Sequence, residues 1–271
     1  MLSGHFRIAC TADKDGITGI ARQEISSPFH LSKPYWDGRV LLVQCVNATA
    51  GVFAGDTLAL SVDVNKGASV LLTSPSASRI HTMKSGIATL EQRFAVADGA
   101  WLEVMPELFI PQAGSRYRQT TRIDVEKGGR LFFVETLAPG RVARGETFAF
   151  SDVAWETDIY VGGEHIFRER YALSPENGSL WSLKVLHEAS YLATCCVVTS
   201  AEDRGRRPRL QAILEGAGLE GVLGGATAIE EGVWVVRMLA KDSPSLRTAL
   251  KSLRTALVEE LPGLASDARK L

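Results

Sequence analysis

The sequence predicts a mostly β protein of stacked, layered antiparallel sheets built from repeated hairpins, with a smaller C-terminal α+β part. Three observations carry that expectation. Apolar and polar residues alternate in short stretches: Leu58, Leu60, Val62 and Val64 stand against Ala59, Ser61 and Asp63. This is the period-two mark of a half-buried strand. Glycine turns recur at Gly67, Gly99, Gly128 and Gly162, about 30 residues apart, a period found in stacked repeats. Each returning strand then runs out near Pro75, Pro106, Pro139 or Pro175, because proline has no N–H for the ladder.

The elements follow in order. Residues 5–11 and 17–27 read as short strands about a turn at Asp13-Lys14-Asp15-Gly16. The loop 27–35 is bounded by Pro28 and Pro34 and contains His30. A loop histidine is either solvated, capping a turn, or a ligand. Strand 39–46 is apolar enough to be buried on both faces. It leads into the glycine-rich turn at 51–56. Phosphate binding is not expected there. A phosphate loop needs G-x-x-x-x-G-K-[ST] and a following helix. Here the spacing is one residue short, Asp56 replaces the lysine, and a strand follows. An acid at that point attracts a cation or bonds its own turn backbone.

From Leu58 the repeat takes over. The chain turns at Asn65-Lys66-Gly67 and returns as 68–73. The unit recurs at 96–100 with 101–105 and at 125–129 with 130–137, and more weakly at 161–163 with 164–173. Hairpins of equal length stack their glycine turns at one end. The loops 74–85, 106–115 and 138–146 then gather at the other end, joined by the turn at 51–56. That rim holds Asp56, His81, Glu107 and Glu146. In residues 116–126 one face reads Arg116, Arg118, Thr120, Arg122, Asp124 and Glu126. The three arginines suggest either an anion site or a solvated face that blunts edge pairing.

After Pro175 the texture changes. Residues 180–186 and 191–199 read as a hairpin, and 202–209 as a charged loop with Arg204, Arg206, Arg207 and Arg209. Pro208 suits the first turn of a short helix through Glu215. A further hairpin, 224–229 with 233–240, turns at Glu230-Glu231-Gly232. Ser243 as N-cap and Pro244 at the first helical position open the clearest helix. Leu246, Leu250, Leu253 and Leu257 give it one apolar stripe, and Pro262-Gly263 stops it. No long linker intervenes. The expectation is a single domain, 1–271, with stacked β layers over 1–178 and an α+β portion over 179–271 packed on them.

Composition narrows the partners. The 271 residues include 30 basic and 31 acidic side chains, a formal net charge of −1. Without a one-signed field, a nucleic-acid partner is not expected. The start, MLSGHFRIAC, lacks a basic region followed by an apolar run, and no apolar run reaches membrane-spanning length. The four cysteines form no C-x-x-C, and Cys195 and Cys196 should point to opposite faces of a strand. A reduced, cytoplasmic protein without a membrane partner is the expectation.

Catalytic motifs are missing from the sequence: there is no G-x-S-x-G, no H-E-x-x-H, and no G-x-G-x-x-G between a strand and a helix. What stands out is a set of acids beside turns: Asp56, Glu103, Glu107, Glu135 and Glu146. Glu103 in WLEVM and Glu135 in LFFVETL lie inside apolar strands, at matching places of two repeat units. Burying such an acid is costly unless it is paired, protonated or metal-bound. Arg79, Arg116, Arg141 and Arg144 are available partners, and an exchangeable divalent cation is the alternative. A glycoside hydrolase using Glu103 and Glu107 as its two carboxylates is a further reading.

A resemblance covers nearly the whole chain. PFHLSKPY at 28–35, TAGVFAGDTL at 49–58, LLTSPSASRIHTM at 71–83, LEVMPELFIPQ at 102–112, LAPGRVARGE at 137–146 and RERYALSP at 168–175, in this order and spacing, resemble the UreD (UreH) family of urease accessory proteins. The resemblance implies a mostly β fold in stacked layers with few helices. It implies a non-enzymatic maturation factor that binds urease apoprotein and the accessory proteins UreF and UreG. GTP would be bound by UreG, and nickel would pass through without a permanently bound cofactor. A polar passage is the route proposed in the family. Asp56, Glu103, Glu107, Glu135, Glu146 and His81 are the residues expected to line it. The alternative within the family is a scaffold that presents UreF to urease without touching metal.

Overall fold

The structure, a computed structural model, describes residues 1–175, 180, 190–199 and 221–260. The expected strand past Leu180, the charged loop at 202–209, the short helix after Pro208 and the stop at Pro262-Gly263 lie outside the described residues. The chain opens with β1 (Ser3–Ala12), β2 (Thr18–Ile25), β3 (Phe29–Leu31), β4 (Tyr35–Asp37) and β5 (Val40–Asn47). Then come β6 (Thr57–Val64), β7 (Ser69–Thr73), β8 (Ser78–Ile80), β9 (Ala88–Val96), β10 (Trp101–Met105) and β11 (Phe109–Pro111). They are followed by β12 (Arg116–Val125), β13 (Arg130–Leu137), β14 (Asp152–Val161), β15 (Glu164–Leu173) and β16 (Tyr191–Val198). The chain ends in β17 (Val222–Glu230), β18 (Val233–Ala240) and helix α1 (Ser243–Glu260).

Two sheets hold these strands. One has seven, in the order β15-β14-β12-β9-β6-β1-β2. The other has eleven and runs β17-β18-β16-β13-β10-β7-β5-β3, with β4, β8 and β11 attached. The layered, mostly β class is as expected. The pairing inside the repeat differs: it is parallel rather than antiparallel. The chain steps from β6 in one sheet to β7 in the other, and again from β9 to β10 and from β12 to β13. Like strands therefore stack in parallel, β6 on β9, β9 on β12, β7 on β10 and β10 on β13. The result is a two-sided, solenoid-like wrap.

Turn geometry explains the difference. In Asn65-Lys66-Gly67-Ala68 only Gly67 has positive φ, 72°, and the Ala68 N–H donates to the Asn65 carbonyl at 3.0 Å. A single positive φ at the third position is the type II pattern, which splays the flanking strands instead of pairing them. Gly99 and Gly128 repeat it, at 67° and 95°. The fourth turn has two positive angles in succession, 59° at Gly162 and 87° at Gly163. That is the type I′ requirement, and here β14 and β15 do pair as an antiparallel hairpin. The expected hairpins β1–β2 and β17–β18 are also antiparallel.

The core lies between the sheets. Phe6, Ile8, Val62, Phe94 and Ile123 from one sheet meet Leu41, Val43, Leu72, Leu102 and Phe133 from the other. A second cluster covers the outer face of the eleven-stranded sheet. There Leu246, Leu250, Leu253 and Leu257 of α1 pack on Phe132, Val134, Cys195 and Trp234. Cys195 and Cys196 do face opposite ways, and all four cysteines are free and buried. The cap of α1 is Asp242 rather than Ser243: Asp242 Oδ1 accepts the Ser245 N–H at 2.8 Å. A carboxylate one residue earlier reaches the third helical N–H.

The polar face of β12 is solvated, as one of its two readings had it. Arg122 is bonded to Asp124 and lies 4.1 Å over the Tyr160 ring. No described helix is long and apolar enough to cross a membrane.

Candidate functional site

The four loops expected to share one end do so. The Val52 N–H donates to the Arg79 carbonyl at 2.8 Å and the His81 N–H to the Val52 carbonyl at 2.9 Å. The Gln112 N–H reaches Ile80 O at 2.9 Å, and Ala138 N–H reaches Phe109 O at 2.8 Å. Their side chains, however, do not converge. Among the described residues no three His, Cys, Asp or Glu side chains come together as a metal site.

Each acid has its own surroundings. Asp56, 2% exposed, accepts the Leu2 N–H at 2.8 Å and the Phe53 N–H at 2.9 Å, so it fastens both its turn and the start of β1. Glu146 is bonded by the guanidinium of Arg141 through both oxygens and accepts the Ala113 N–H at 3.1 Å. The Arg141 bonds hold its carboxyl below the usual range. His81 stacks on Phe53 at 4.4 Å, and its Nε2 lies 3.1 Å from the Ala50 carbonyl, which makes Nε2 the donor.

Glu103 and Glu135 do not occupy matching places. In the parallel register Glu103 lies beside Phe132, on the outer face under α1. Glu135 lies three residues further along β13, on the inner face. Glu103 is 1% exposed and accepts Arg254 Nε at 2.5 Å and Nη2 at 2.9 Å. Burial raises its pKa, and the bonds and charge of Arg254 pull against that rise. None of the four arginines expected from the sequence is its partner. A buried, doubly bonded Glu103 under a helix also offers no approach to a sugar, which leaves the two-carboxylate hydrolase reading without its pair.

Glu135 is different. Its oxygens accept Gln119 Nε2 at 2.7 Å and Thr157 Oγ1 at 3.0 Å, both neutral donors. Among the described residues no cation pairs with it. Burial pushes its pKa up to about 7; the Thr157 and Gln119 bonds lower it and the Glu169 charge raises it further. Tyr117, whose hydroxyl donates to Gln119 Oε1 at 3.0 Å, is also pushed up, by burial first and by Glu135 second.

Glu135 lines a cavity of about 240 Å³. Its position follows from strand lengths. β10 ends at Met105, and its pairing with β13 ends at Val104 and Phe133. β11 resumes pairing only at Leu137. Among the described residues no strand pairs with this edge of β13 between those points. The cavity occupies this gap and is lined from both faces of β13, by Phe133 and Glu135 from the inner and by Val134 and Thr136 from the outer. Glu107 lines it too. Its carboxylate bonds Arg247 Nη2 of α1 at 2.9 Å, and its N–H donates to Ser74 Oγ at 2.9 Å. The cavity thus brings Glu107 and Glu135 together and leaves Asp56, Glu103, Glu146 and His81 outside its walls.

Gln119, which lines the cavity, and Thr121, which bonds the lining residue Gln92, were missed in the sequence; the signal for both was a polar residue in the apolar row of β12. Arg254 is spaced seven residues from Arg247 at the margin of the leucine stripe, the one hint that both face the sheet.

Among the described residues the chain is a two-sheet β wrap with one long helix and a cavity that bears a buried carboxylate, the architecture of a layered β protein with an internal binding space. The chain matches, over residues 3–270, the sequence model of the family described as UreD urease accessory protein, and it belongs to that family. It is 40% identical to the urease accessory protein UreD of Opitutus terrae across 99% of each chain. It is 32% identical to that of Acetivibrio thermocellus, over 90% of this chain and 93% of the relative. The Deinococcus radiodurans protein of the same name is 33% identical over 93% and 89%.

Proposed function

We propose that this chain is a maturation factor that binds urease apoprotein with the accessory proteins UreF and UreG in the cytoplasm. It assists delivery of nickel to the urease active site and catalyses no reaction itself. Nickel is its cargo. The observation that carries this reading is Glu135: a buried carboxylate, held among the described residues by neutral donors, in a cavity beside β13. A carboxylate lowers the cost of holding a dication away from bulk water. Oxygen ligation is also weak enough to release it. The route narrows to Glu107 and Glu135, which share the cavity. Asp56, Glu103, Glu146 and His81 lie outside the cavity and serve the fold through the bonds described above.

Structural use of four of the six residues also favours a second reading, a scaffold that never touches metal. Co-expression separates both from an unrelated role. Urease apoprotein, UreF and UreG should co-purify with the tagged chain. Urease matured without it should lack nickel and activity. Capture of none of the three, or fully loaded urease in its absence, rejects the proposal.

A further inference from the structure

We propose that the cavity beside β13 is also a binding site for a small uncharged molecule with a compact apolar body and one oxygen acceptor. The first ground is size and wall chemistry. At about 240 Å³ the cavity exceeds the roughly 150 Å³ apolar cavity known to take up benzene. Leu72, Phe94, Phe109 and Phe133 form apolar parts of its wall.

The second ground is a pair of buried polar atoms without a hydrogen-bond partner among the described residues, Trp155 Nε1 and Thr136 Oγ1. Both residues line the cavity, and each is 4% exposed. Buried polar groups in folded proteins are nearly always bonded, so each such atom calls for an occupant. An indole N–H only donates, which asks for an acceptor oxygen. Glu135 in the same wall opposes an anion, and the indole N–H selects an acceptor oxygen, which points to an uncharged ligand that carries one. The polar side chains of the wall beside Glu135 are already engaged: Gln119 with Glu135 and Tyr117, Gln92 with Thr121. The site uses the cavity but does not depend on nickel passing through it, so its failure leaves the proposed function standing.

Benzyl alcohol and toluene are suitable probes, nearly equal in size and differing in the oxygen. The full-length chain is titrated with each while the indole N–H resonances of its five tryptophans are followed by NMR. Trp155→Phe identifies the Trp155 signal. Saturable movement of that signal is expected, with benzyl alcohol bound roughly threefold to tenfold more tightly than toluene, the size of one neutral hydrogen bond. Trp155→Phe should abolish the preference. Thr136→Val, which removes a hydroxyl with little change of shape, should narrow it and keeps the test open if the tryptophan variant fails to fold. Equal affinity for the two probes, movement confined to other tryptophans, or no saturable shift, as for a cavity that holds water alone, overturns the proposal.

Discussion

Replacing Glu103 with glutamine isolates the contribution of its charge. The pair it forms with Arg254 is closed on both sides, with side chains 1% and 11% exposed, and it joins β10 to α1 through bonds of 2.5 and 2.9 Å. Glutamine keeps the size and one acceptor but removes the Glu103 charge from beside the guanidinium. Breaking a buried pair from one side costs about 3–5 kcal/mol. For a chain of this length each kcal/mol shifts Tm by about 2–4 °C, so Glu103→Gln should melt about 10 °C lower. Differential scanning calorimetry reads this directly. The double variant Glu103→Met/Arg254→Met should recover most of the loss, because packed apolar residues replace buried pairs at little cost. A single variant within about 2 °C of the parent, or a double variant no better than the single, would refute the assignment of a buried, stabilising latch.

Other outcomes follow from the same geometry. Glu135 has a folded pKa raised to about 7 against an ordinary value of 4.5. Its contribution to stability is therefore full below pH 4.5 and lost as pH rises through 7, about 3 kcal/mol in all at 1.36 kcal/mol per pH unit. Urea unfolding at pH 5 and pH 8 should show that slope, and Glu135→Gln should flatten it. Asp56→Ala leaves the Leu2 and Phe53 N–H groups without their acceptor and should cost about 1–3 kcal/mol in the same assay. Gly67→Ala meets open space at φ 72° and should cost only the left-handed strain, about 1–2 kcal/mol. Gly51→Ala should cost more, since its Cβ would lie 2.4 Å from the Arg79 carbonyl oxygen, a backbone atom that cannot swing aside.

Strand positions were legible because alternation survives in the residues themselves, as in β6 and β12. Strand partners were not. Lys127-Gly128-Gly129 and Val161-Gly162-Gly163 both show a Gly-Gly, yet only the second uses two positive φ angles and makes a hairpin. That choice depends on what the flanking strands pack against, which local sequence does not state. Glu135 could be read as a chemically unusual acid from its apolar neighbours alone. Its separation from Glu103 could not, because it arises from a three-residue register offset and from a helix, distant in the chain, that delivers Arg254. The gap in the sheet was equally hidden: it follows from β10 stopping at Met105 while β13 runs on to Leu137.

The most direct measurement is the nickel content per urease active site after maturation with a Glu135→Gln chain that still co-purifies with its partners. Glutamine keeps the bond to Thr157 and the shape of the cavity while removing the charge that would hold a dication. The expected result is normal assembly with urease poor in nickel, and Glu103→Gln, where it assembles, loading urease normally. Full nickel loading by an assembled Glu135→Gln complex would contradict a route past this carboxylate.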